Sequence, residues 1–196
     1  MTRARCERCA RPQNHCLCHL IPRLPSRTRV LILQHPGEEG HALNTARLAA
    51  LGLENAELRV GENFADLQLD PAYRACLLFP GEEARTLPWA FEGGDERPLL
   101  LVVPDGTWRK ARKLLHLNPE LAALPRACLP LGLQSRYRLR KAPAEGALAT
   151  IEAIAVALEL QDAPARFGAL LRPFEALIEG QIAAMGEDTY RRNHGG

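Results

Sequence analysis

The residues whose types and order most suggest chemistry are Asp105-Gly106-Thr107-Trp108, which stand between an apolar run at 98–104 and a basic stretch at 109–113. A buried strand that ends in an acid, followed by glycine and by a hydroxyl able to cap a helix, is how α/β enzymes present a side chain at the carboxyl edge of a sheet. Asp105 is therefore the candidate catalytic group, with Thr107 and Trp108 beside it.

The alternative for Asp105 is a purely structural turn, because Asp-Gly pairs form turns and the helix dipole favours an acid at a helix start. The following segment favours function, since Arg109, Lys113 and His116 recur at helical spacing on one side. We expect this side to offer positive charge beside Asp105, and Trp108 to pack in the core rather than stack on a base.

A cluster of four cysteines near the start predicts a structural zinc site. Reduced thiols at this spacing are better explained as metal ligands than as disulfides, and His15 or His19 could replace one of them. The predicted ligands are Cys6, Cys9, Cys16 and Cys18. Cys76 and Cys128 are interpreted as small buried apolar residues.

Charge is distributed unevenly along the chain, although the whole carries a net charge of only +2. Residues 1–30 hold seven arginines and one acid, a net +6, and residues 105–141 hold nine lysines or arginines against two acids, a net +7, which leaves −11 for the rest. Two basic segments on an acidic body predict a nucleic-acid partner. Within the second, an extended backbone would place Arg136, Arg138 and Arg140 on one side as a row of phosphate contacts, with a solubilising edge strand as the alternative.

The elements that must position these residues alternate between strand and helix from residue 28 onward. Apolar runs predict strands, and helical periodicity predicts helices. The predicted strands are 29–34, 56–60, 75–79, 99–103, 127–129 and 136–140, and the predicted helices are 42–51, 107–117, 150–160 and 166–185. Strands without polar alternation indicate burial on both faces, hence a mainly parallel sheet flanked by helices.

Length, composition and the start of the chain limit the class of protein. With 196 residues and 46% hydrophobic content, we expect a knuckle at 1–22 and one larger domain at 23–196. A basic start without an apolar stretch, and no apolar run of membrane length, predict a cytoplasmic protein without a membrane partner. No obligate protein partner is evident.

Polar or flexible residues recur where predicted strands meet helices. Gly81 of Phe79-Pro80-Gly81 would allow a ligand to approach the backbone closely. Thr150 and Glu152 begin a helix where Ala149 cannot supply the hydroxyl of a capping box, which favours a ligand-facing role for them. A polar cluster, Gln34-His35-Pro36 and His41–Arg47, follows the first strand, as suits a substrate pocket, and we interpret His35 and His41 each as a structural or surface residue.

Taken together, these motifs resemble the bacterial DTW-domain proteins, the tRNA-uridine aminocarboxypropyltransferase family. The resemblance spans nearly the whole chain, and its motifs are specific in combination. They are the four cysteines followed by Leu20-Ile21-Pro22, Leu33-Gln34-His35-Pro36, His41–Arg47, Asp105–Trp108, Ser135–Arg140, Thr150-x-Glu152-Ala153 and Tyr190–His194. Pro104 and Ala149 depart from the pattern, where an aliphatic residue and a serine are usual.

The resemblance implies a SPOUT-related α/β domain, for which a knotted C-terminal half is one option, and a transferase activity. The 3-amino-3-carboxypropyl group of S-adenosylmethionine would pass to N3 of a uridine in the tRNA variable loop, leaving methylthioadenosine. The acid of the family motif maps to Asp105. The donor would contact the junctions at 79–81, 104–107 and 149–152, which include Pro104 and Gly106, and helix amides near Thr107 would hold its carboxylate.

Two other functions stay open at this stage. A SPOUT-like RNA methyltransferase would use the same donor and the same RNA. A non-catalytic, zinc-containing RNA-binding module would need only the basic segments. The enzyme is favoured because an acid between basic segments weakens the affinity for a polyanion and so needs a further role.

Overall fold

A computed structural model describes residues 4–41, 43–89, 95–136 and 148–185 of the chain. Its strands are β1 (Arg29–Gln34), β2 (Ala56–Val60), β3 (Arg74–Leu78), β4 (Arg85–Thr86), β5 (Leu99–Asp105) and β6 (Arg126–Cys128). Its helices are α1 (Ala46–Gly52), α2 (Trp108–Leu117), α3 (Pro119–Ala122), α4 (Thr150–Gln161) and α5 (Arg172–Met185), with 3-10 turns at Gln13–His15, Pro36–Glu38 and Gly168–Leu171.

The six strands form one sheet in the order β2-β1-β5-β3-β6-β4, and every adjacent pair is parallel. The predicted α/β class with a mainly parallel sheet is confirmed. Because β5 inserts between β1 and β3, its carboxyl end lies near the middle of the sheet edge. In open parallel sheets, ligands bind at this edge, where the strand order reverses.

Strand β5 shows why the sheet needs helices on both sides, since its residues 99–103 are all buried. Leu99, Leu101 and Val103 pack with α1, α4 and α5 in one core cluster. Leu100 and Val102 pack with Leu115 of α2 and with Leu121 and Ala122 of α3 in a second cluster. The alternation of a strand thus divides the molecule into an α4 face and an α2 face.

The N-terminal segment packs against the α4 face. Cys9, Leu17 and Ile21 are buried and belong to the same core cluster as α1, α4 and α5. Leu24 extends this contact through a backbone hydrogen bond of 3.0 Å to the oxygen of Gly52. The cysteine-rich segment is therefore held on the main core by apolar contacts.

Several predicted bounds were wrong for local reasons. Helix α1 begins at Ala46 rather than at 42, because a turn precedes it, in which Asn44 N donates to the backbone oxygen of His41 and Leu43 N donates to the Nδ1 atom of its ring. The predicted helix at 166–185 opens with the 3-10 turn, and its α-helical part starts at Arg172. Arg136 is not in a strand, and the rest of the predicted strand at 136–140 lies outside the described residues. The two-residue strand β4 was missed, since both of its residues are exposed.

Candidate functional site

Asp105 ends β5 and is the centre of a buried polar network at the sheet edge. Its Oδ2 atom accepts a hydrogen bond of 2.7 Å from Gln34 Nε2, and its Oδ1 atom accepts one of 2.5 Å from Thr150 Oγ1. The side chain is on the α4 face, because it shares the alternation of Leu101 and Val103 and touches the first residue of α4. Strands β1 and β5 and helix α4 therefore meet at this carboxylate.

Burial sets the chemistry of Asp105, which is 8% exposed. Loss of solvent raises the pKa of its carboxyl above the ordinary value, and the hydrogen bonds from Gln34 and Thr150 only partly oppose that rise. Glu38 raises the pKa further, and Lys110 lowers it. Lys110 Nζ is 2.6 Å from Glu38 Oε1. This ion pair offsets much of the effect of the Lys110 charge on Asp105.

Helix α2 packs on the opposite face of the sheet from the Asp105 side chain. It still supplies positive charge near the carboxylate, because Lys110 lowers the pKa of Asp105. Arg109 is exposed. Lys113 donates to both carboxylate oxygens of Glu62, at 2.8 and 2.9 Å. Sequence spacing placed these cations on one helix side but could not show which sheet face the helix covers.

The turn after Asp105 is built for a sharp entry into α2. Gly106 has a φ of +153°, and a Cβ added there would lie 3.1 Å from Lys110 Cβ, so only glycine fits without strain. Thr107 caps the helix as predicted, because its Oγ1 accepts a hydrogen bond of 3.3 Å from Lys110 N. Pro104, one residue before Asp105, lies inside β5 and pairs with Leu33 of β1.

Trp108 does not pack in the core, which corrects the sequence expectation. Its side chain is 41% exposed and meets the edge of the Phe79 ring, with ring centroids 5.6 Å apart. Both rings line an open cavity of about 620 Å³ on the α2 face, together with Arg112, His116 and Arg126. The Arg126 guanidinium lies 5.8 Å from the centroid of the Phe79 ring. Aromatic rings beside cations suit the binding of a nucleobase or of a nucleotide phosphate.

Two of the three predicted junctions meet directly, and the third follows the neighbouring strand β3 at the same edge of the sheet. Phe79, Pro80 and Gly81 follow β3, and the Phe79 ring contacts Trp108 on the α2 face. A Cβ on Gly81 would lie 2.6 Å from an Arg126 nitrogen, so the arginine approaches the backbone there. The hydrogen bond between Thr150 and Asp105 joins the other two junctions.

Glu152 is buried, with 4% of its surface exposed. Its carboxylate accepts hydrogen bonds from protein groups and does not face an open ligand site. Its Oε2 atom accepts from Ser135 Oγ at 2.7 Å and from Ala149 N at 2.8 Å, while Oε1 accepts from Arg136 N at 2.6 Å. The bond to Ala149 is the carboxylate half of a capping box. Arg136 also pairs with Glu175 at 2.7 Å, and Arg138 and Arg140 lie outside the described residues.

Sequence reasoning did not assign Gln34 and Asn44 to the site, although both are part of it. Gln34 is fully buried and lies directly beside Asp105 in the register of β1 and β5. Asn44 Oδ1 accepts from Gln34 Nε2 at 3.1 Å, which fixes the amide toward the carboxylate. The sequence did contain a signal for Gln34: like Asp105, it is the first polar residue after an apolar run that predicts a buried strand.

The two histidines after β1 have structural partners. His35 Nε2 lies 2.7 Å from Glu62 Oε1, and its Nδ1 accepts from Gly37 N at 3.0 Å. His41 Nδ1 accepts from Leu43 N at 3.2 Å.

Cys76 is buried as predicted, and burial raises its pKa to about 12. Cys128 is only half-buried, with its sulfur 3.6 Å from Thr86 Oγ1.

The four predicted zinc ligands converge. The sulfur atoms of Cys6, Cys9, Cys16 and Cys18 all lie within 4.8 Å of one another. The Cys6–Cys18 and Cys9–Cys16 sulfur distances are 3.6 and 3.8 Å. A tetrahedral zinc with bonds of about 2.3 Å requires sulfurs about 3.8 Å apart, so the thiols fit that ion. Neither His15 nor His19, both in the described part of the chain, belongs to this group.

The thiols are close enough to influence one another's ionisation. Backbone N–H groups of Cys9 and Arg8 lower the pKa of Cys6 to about 6, whereas burial raises that of Cys18 to about 12. Four thiolates at this separation repel one another, and a divalent ion offsets that repulsion.

Comparison with known proteins places this site in context. The sequence profile described as the DTW domain matches residues 3–182. Proteins named tRNA-uridine aminocarboxypropyltransferase 2 match 92% of this chain, with 31% identity in Macaca fascicularis, 34% in Mus musculus and 34% in Drosophila melanogaster. The chain spans 64% of the macaque and mouse proteins and 76% of the fly protein. No solved structure matches the chain significantly.

Among the described residues, no helix is both long and apolar enough to cross a bilayer.

Proposed function

Since the chain belongs to the DTW domain family, we propose that it transfers the 3-amino-3-carboxypropyl group of S-adenosylmethionine to N3 of a uridine in the variable loop of a tRNA. The names of its relatives support the reaction class and the RNA. The donor, the N3 atom and the variable loop come from the family resemblance. The observation that carries the proposal for this chain is the environment of Asp105.

Asp105 has the properties of a base for the N3 proton. Its neighbours Gln34 and Thr150 are neutral donors, which orient the carboxylate without the strong pKa depression that a cation would cause. Burial raises its pKa, which makes it a better proton acceptor. A carboxylate can accept about four hydrogen bonds, and two are in use, so lone pairs remain for a uracil N–H.

The proposed step balances as one proton transfer and one displacement. The N3–H bond of uracil breaks as its proton passes to an Asp105 oxygen, and the N3 electron pair forms a bond to the γ-carbon of the aminocarboxypropyl group. The donor supplies a sulfonium, so that its S–Cγ bond breaks with the electron pair on sulfur and methylthioadenosine leaves. The protein contributes the base and the alignment of N3 with the γ-carbon.

We propose that the donor occupies the junctions at the carboxyl edge of the sheet. Phe79, Pro80, Gly81, Pro104 and Gly106 would line its site, and the first free amides of α2 beyond Thr107 would face its carboxylate. Thr150, the first residue of α4, orients the proposed base through its hydrogen bond to Asp105. Glu152 would act by positioning the backbone of Arg136, since its oxygens are bound to the protein.

The RNA and metal assignments complete the proposal. Arg109 is exposed on α2 and suits a phosphate contact, as do Lys113 and Arg136 once they exchange their acidic partners for RNA. Arg138 and Arg140 are proposed as further phosphate contacts on the basis of sequence. Zinc on the four cysteines would have a structural role, because no coordination position is left for a substrate.

Product mass tests the function. The chain is incubated with an unmodified tRNA transcript and S-adenosylmethionine, and the digested RNA is analysed by mass spectrometry. We expect one added aminocarboxypropyl group and methylthioadenosine. An added methyl group would identify a methyltransferase, and RNA binding without any mass change would identify a binding module; either result contradicts the proposal.

Replacement of the base tests the role of Asp105. We expect Asp105→Ala to lower the single-turnover rate by a factor of roughly 10² to 10⁴, the usual contribution of a general base, while tRNA binding persists. Lys113→Ala is the matched control, since it removes a charge at the other face of the sheet and should act mainly on RNA affinity. Full activity of Asp105→Ala would remove this residue from the mechanism.

A further inference from the structure

A small cavity lies between the N-terminal segment and the start of α1, away from the ring-lined cavity of the α2 face. Its volume is about 140 Å³. This is well below the roughly 300–1,000 Å³ of pockets that enclose drug-sized ligands, so it suits a small ion. Its lining includes several basic or polar side chains: Arg5, Arg11, His15, His41, Asn44 and Arg47.

The cavity is rich in cationic groups. Three arginines and two histidines line it, and among the described lining residues Glu39 is the only acid. Arg47 Nε is buried without a hydrogen-bond partner in the described part of the chain, and Arg47 Nη2 is a distant 3.6 Å from Glu39 Oε1. A buried, unpaired N–H of a guanidinium costs stability unless an acceptor occupies the site. The cavity therefore favours an anion.

Two separate parts of the fold contribute these groups. Arg5, Arg11 and His15 come from the cysteine-rich segment, whereas His41 and Arg47 come from the loop after β1 and from α1. Cys9 also lines the cavity, so the thiol cluster forms part of its wall. An anion would thus complete the contact between the two parts.

The cavity is connected to the candidate base. Asn44 lines the cavity, exchanges hydrogen bonds with Gln34 at 3.1 and 3.3 Å, and Gln34 in turn donates to Asp105. Gln34 and Asp105 share the α4 face, on which the cysteine-rich segment packs. An anion held here lies on the same side of the sheet as the carboxylate, two side chains away from it.

On the premise of the proposed function, we propose that this cavity binds one phosphate of the tRNA backbone near the target uridine, through Arg5, Arg11 and Arg47. Arginine is suited to this task because its planar fork pairs with two oxygens of a phosphate. The cysteine-rich segment then has a second role besides folding, because it supplies half of an RNA contact that borders the catalytic network. The donor carboxylate is the competing anion, and the test below separates the two.

The salt dependence of RNA binding tests the proposal. The zinc-loaded full chain is titrated with an unmodified tRNA transcript, in the absence of donor, over a range of KCl concentrations. Loss of one phosphate contact makes the slope of log K against log salt shallower by about 1. We expect this change for Arg47→Gln, with affinity lower by roughly tenfold at fixed salt, which is the loss of one charged hydrogen bond.

Controls keep the outcome specific. Arg23→Gln removes an arginine that is 78% exposed, pairs with Glu54 and does not line the cavity. It should leave the slope unchanged. Zinc content and melting temperature are measured for each variant. If Arg47→Gln does not fold, Arg5→Gln replaces it, because the Arg5 side chain donates from the surface to Ala10 O. Unchanged slopes in the folded cavity variants, or an equal change in Arg23→Gln, would overturn the proposal.

A second arm identifies the anion. The affinities for S-adenosylmethionine and for methylthioadenosine, which lacks the carboxylate, are measured without RNA. We expect Arg47→Gln to leave both unchanged. A selective loss of S-adenosylmethionine affinity would assign the cavity to the donor carboxylate and overturn the phosphate assignment. Because these readouts are equilibrium affinities, they stand apart from the activity assay: a wild-type chain without transferase activity contradicts the proposed function, whatever the slopes are.

Discussion

Asp105 is a carboxylate that folding removes from water, and it forms no direct ion pair within the described part of the chain. The donors of its two hydrogen bonds differ in how firmly they are held. Gln34 comes from the neighbouring strand and is fixed by Asn44, whereas Thr150 begins a helix and has a hydroxyl that can rotate. Each bond stabilises the charged form and so lowers a pKa that burial raises. If Asp105 is the base, the balance between burial and these hydrogen bonds sets the pH at which it becomes active.

Removal of the Thr150 hydroxyl therefore shifts the pH dependence of the reaction. In Thr150→Val the carboxylate loses one donor, so the pKa of Asp105 rises further above its ordinary value of about 4. The base form is lost as pH falls through that pKa. We expect the acid limb of the single-turnover rate to move to higher pH, while the plateau at high pH changes less.

Thr150→Ser is the matched control, because it keeps the hydroxyl and should retain the wild-type limb. The measurement is the single-turnover rate at saturating donor and RNA across the acid range. An acid limb at the same pH in Thr150→Val and wild type would show that the titrating group is not Asp105.

At the scale of elements, the junction between β5 and α2 determines where Asp105 points. Gly106 combines a φ of +153° with a Cβ position 3.1 Å from Lys110 Cβ, and Thr107 then caps the helix. We expect Gly106→Ala to lower the free energy of unfolding by roughly 1–3 kcal/mol, the usual cost of a strained backbone position. Chemical denaturation measures this change.

Gly180 offers a control of opposite sign. It lies within α5, where an added Cβ meets nothing within 4 Å. Gly180→Ala should raise the free energy of unfolding by roughly 0.5–1 kcal/mol, because alanine is the better helix former. If both substitutions changed stability in the same direction, the strain at Gly106 would not be the cause of its effect.

The elements also show what sequence could predict. Strands β1 and β2 have the predicted bounds, and Asp105 stands at a strand end as expected, since apolar burial and turn chemistry are local properties. The partner of Asp105 is not a local property. Gln34 lies 71 positions away and meets it only through the register of β1 and β5. The exposure of Trp108 and the sheet face covered by α2 likewise depend on tertiary packing, which helical spacing does not encode.

At the scale of the molecule, the sheet separates two surfaces with different chemistry. The α4 face holds the carboxylate network, the thiol cluster and the arginine-lined cavity, whereas the α2 face holds the exposed rings and their basic neighbours. Both surfaces reach the carboxyl edge of the strands. Under the proposed function, this arrangement allows a folded RNA to contact cations on both sides while one nucleotide enters between them.

On the proposal that the four cysteines hold zinc, the cysteine-rich segment couples metal binding to this arrangement. Cys9, Leu17 and Ile21 contribute to the core that also contains α1, so loss of the metal would expose apolar surface as well as separate the thiols. Treatment with a zinc chelator should release one zinc ion per chain and lower the melting temperature. It should also weaken tRNA binding, because Arg5 and Arg11 lose their positions while Arg47 stays on α1.

Cys9→Ser should reproduce the effects of the chelator on metal content, melting temperature and RNA affinity, because it removes a buried ligand. Cys128→Ser is the matched control, since its sulfur lies outside the thiol group and contacts Thr86 and Ala84. Metal analysis, thermal unfolding and tRNA titration are performed on the same samples. A chain that retains its melting temperature and tRNA affinity after complete removal of zinc would show that the segment folds without the metal. In that case its arginines would hold their positions through apolar packing on α1 alone.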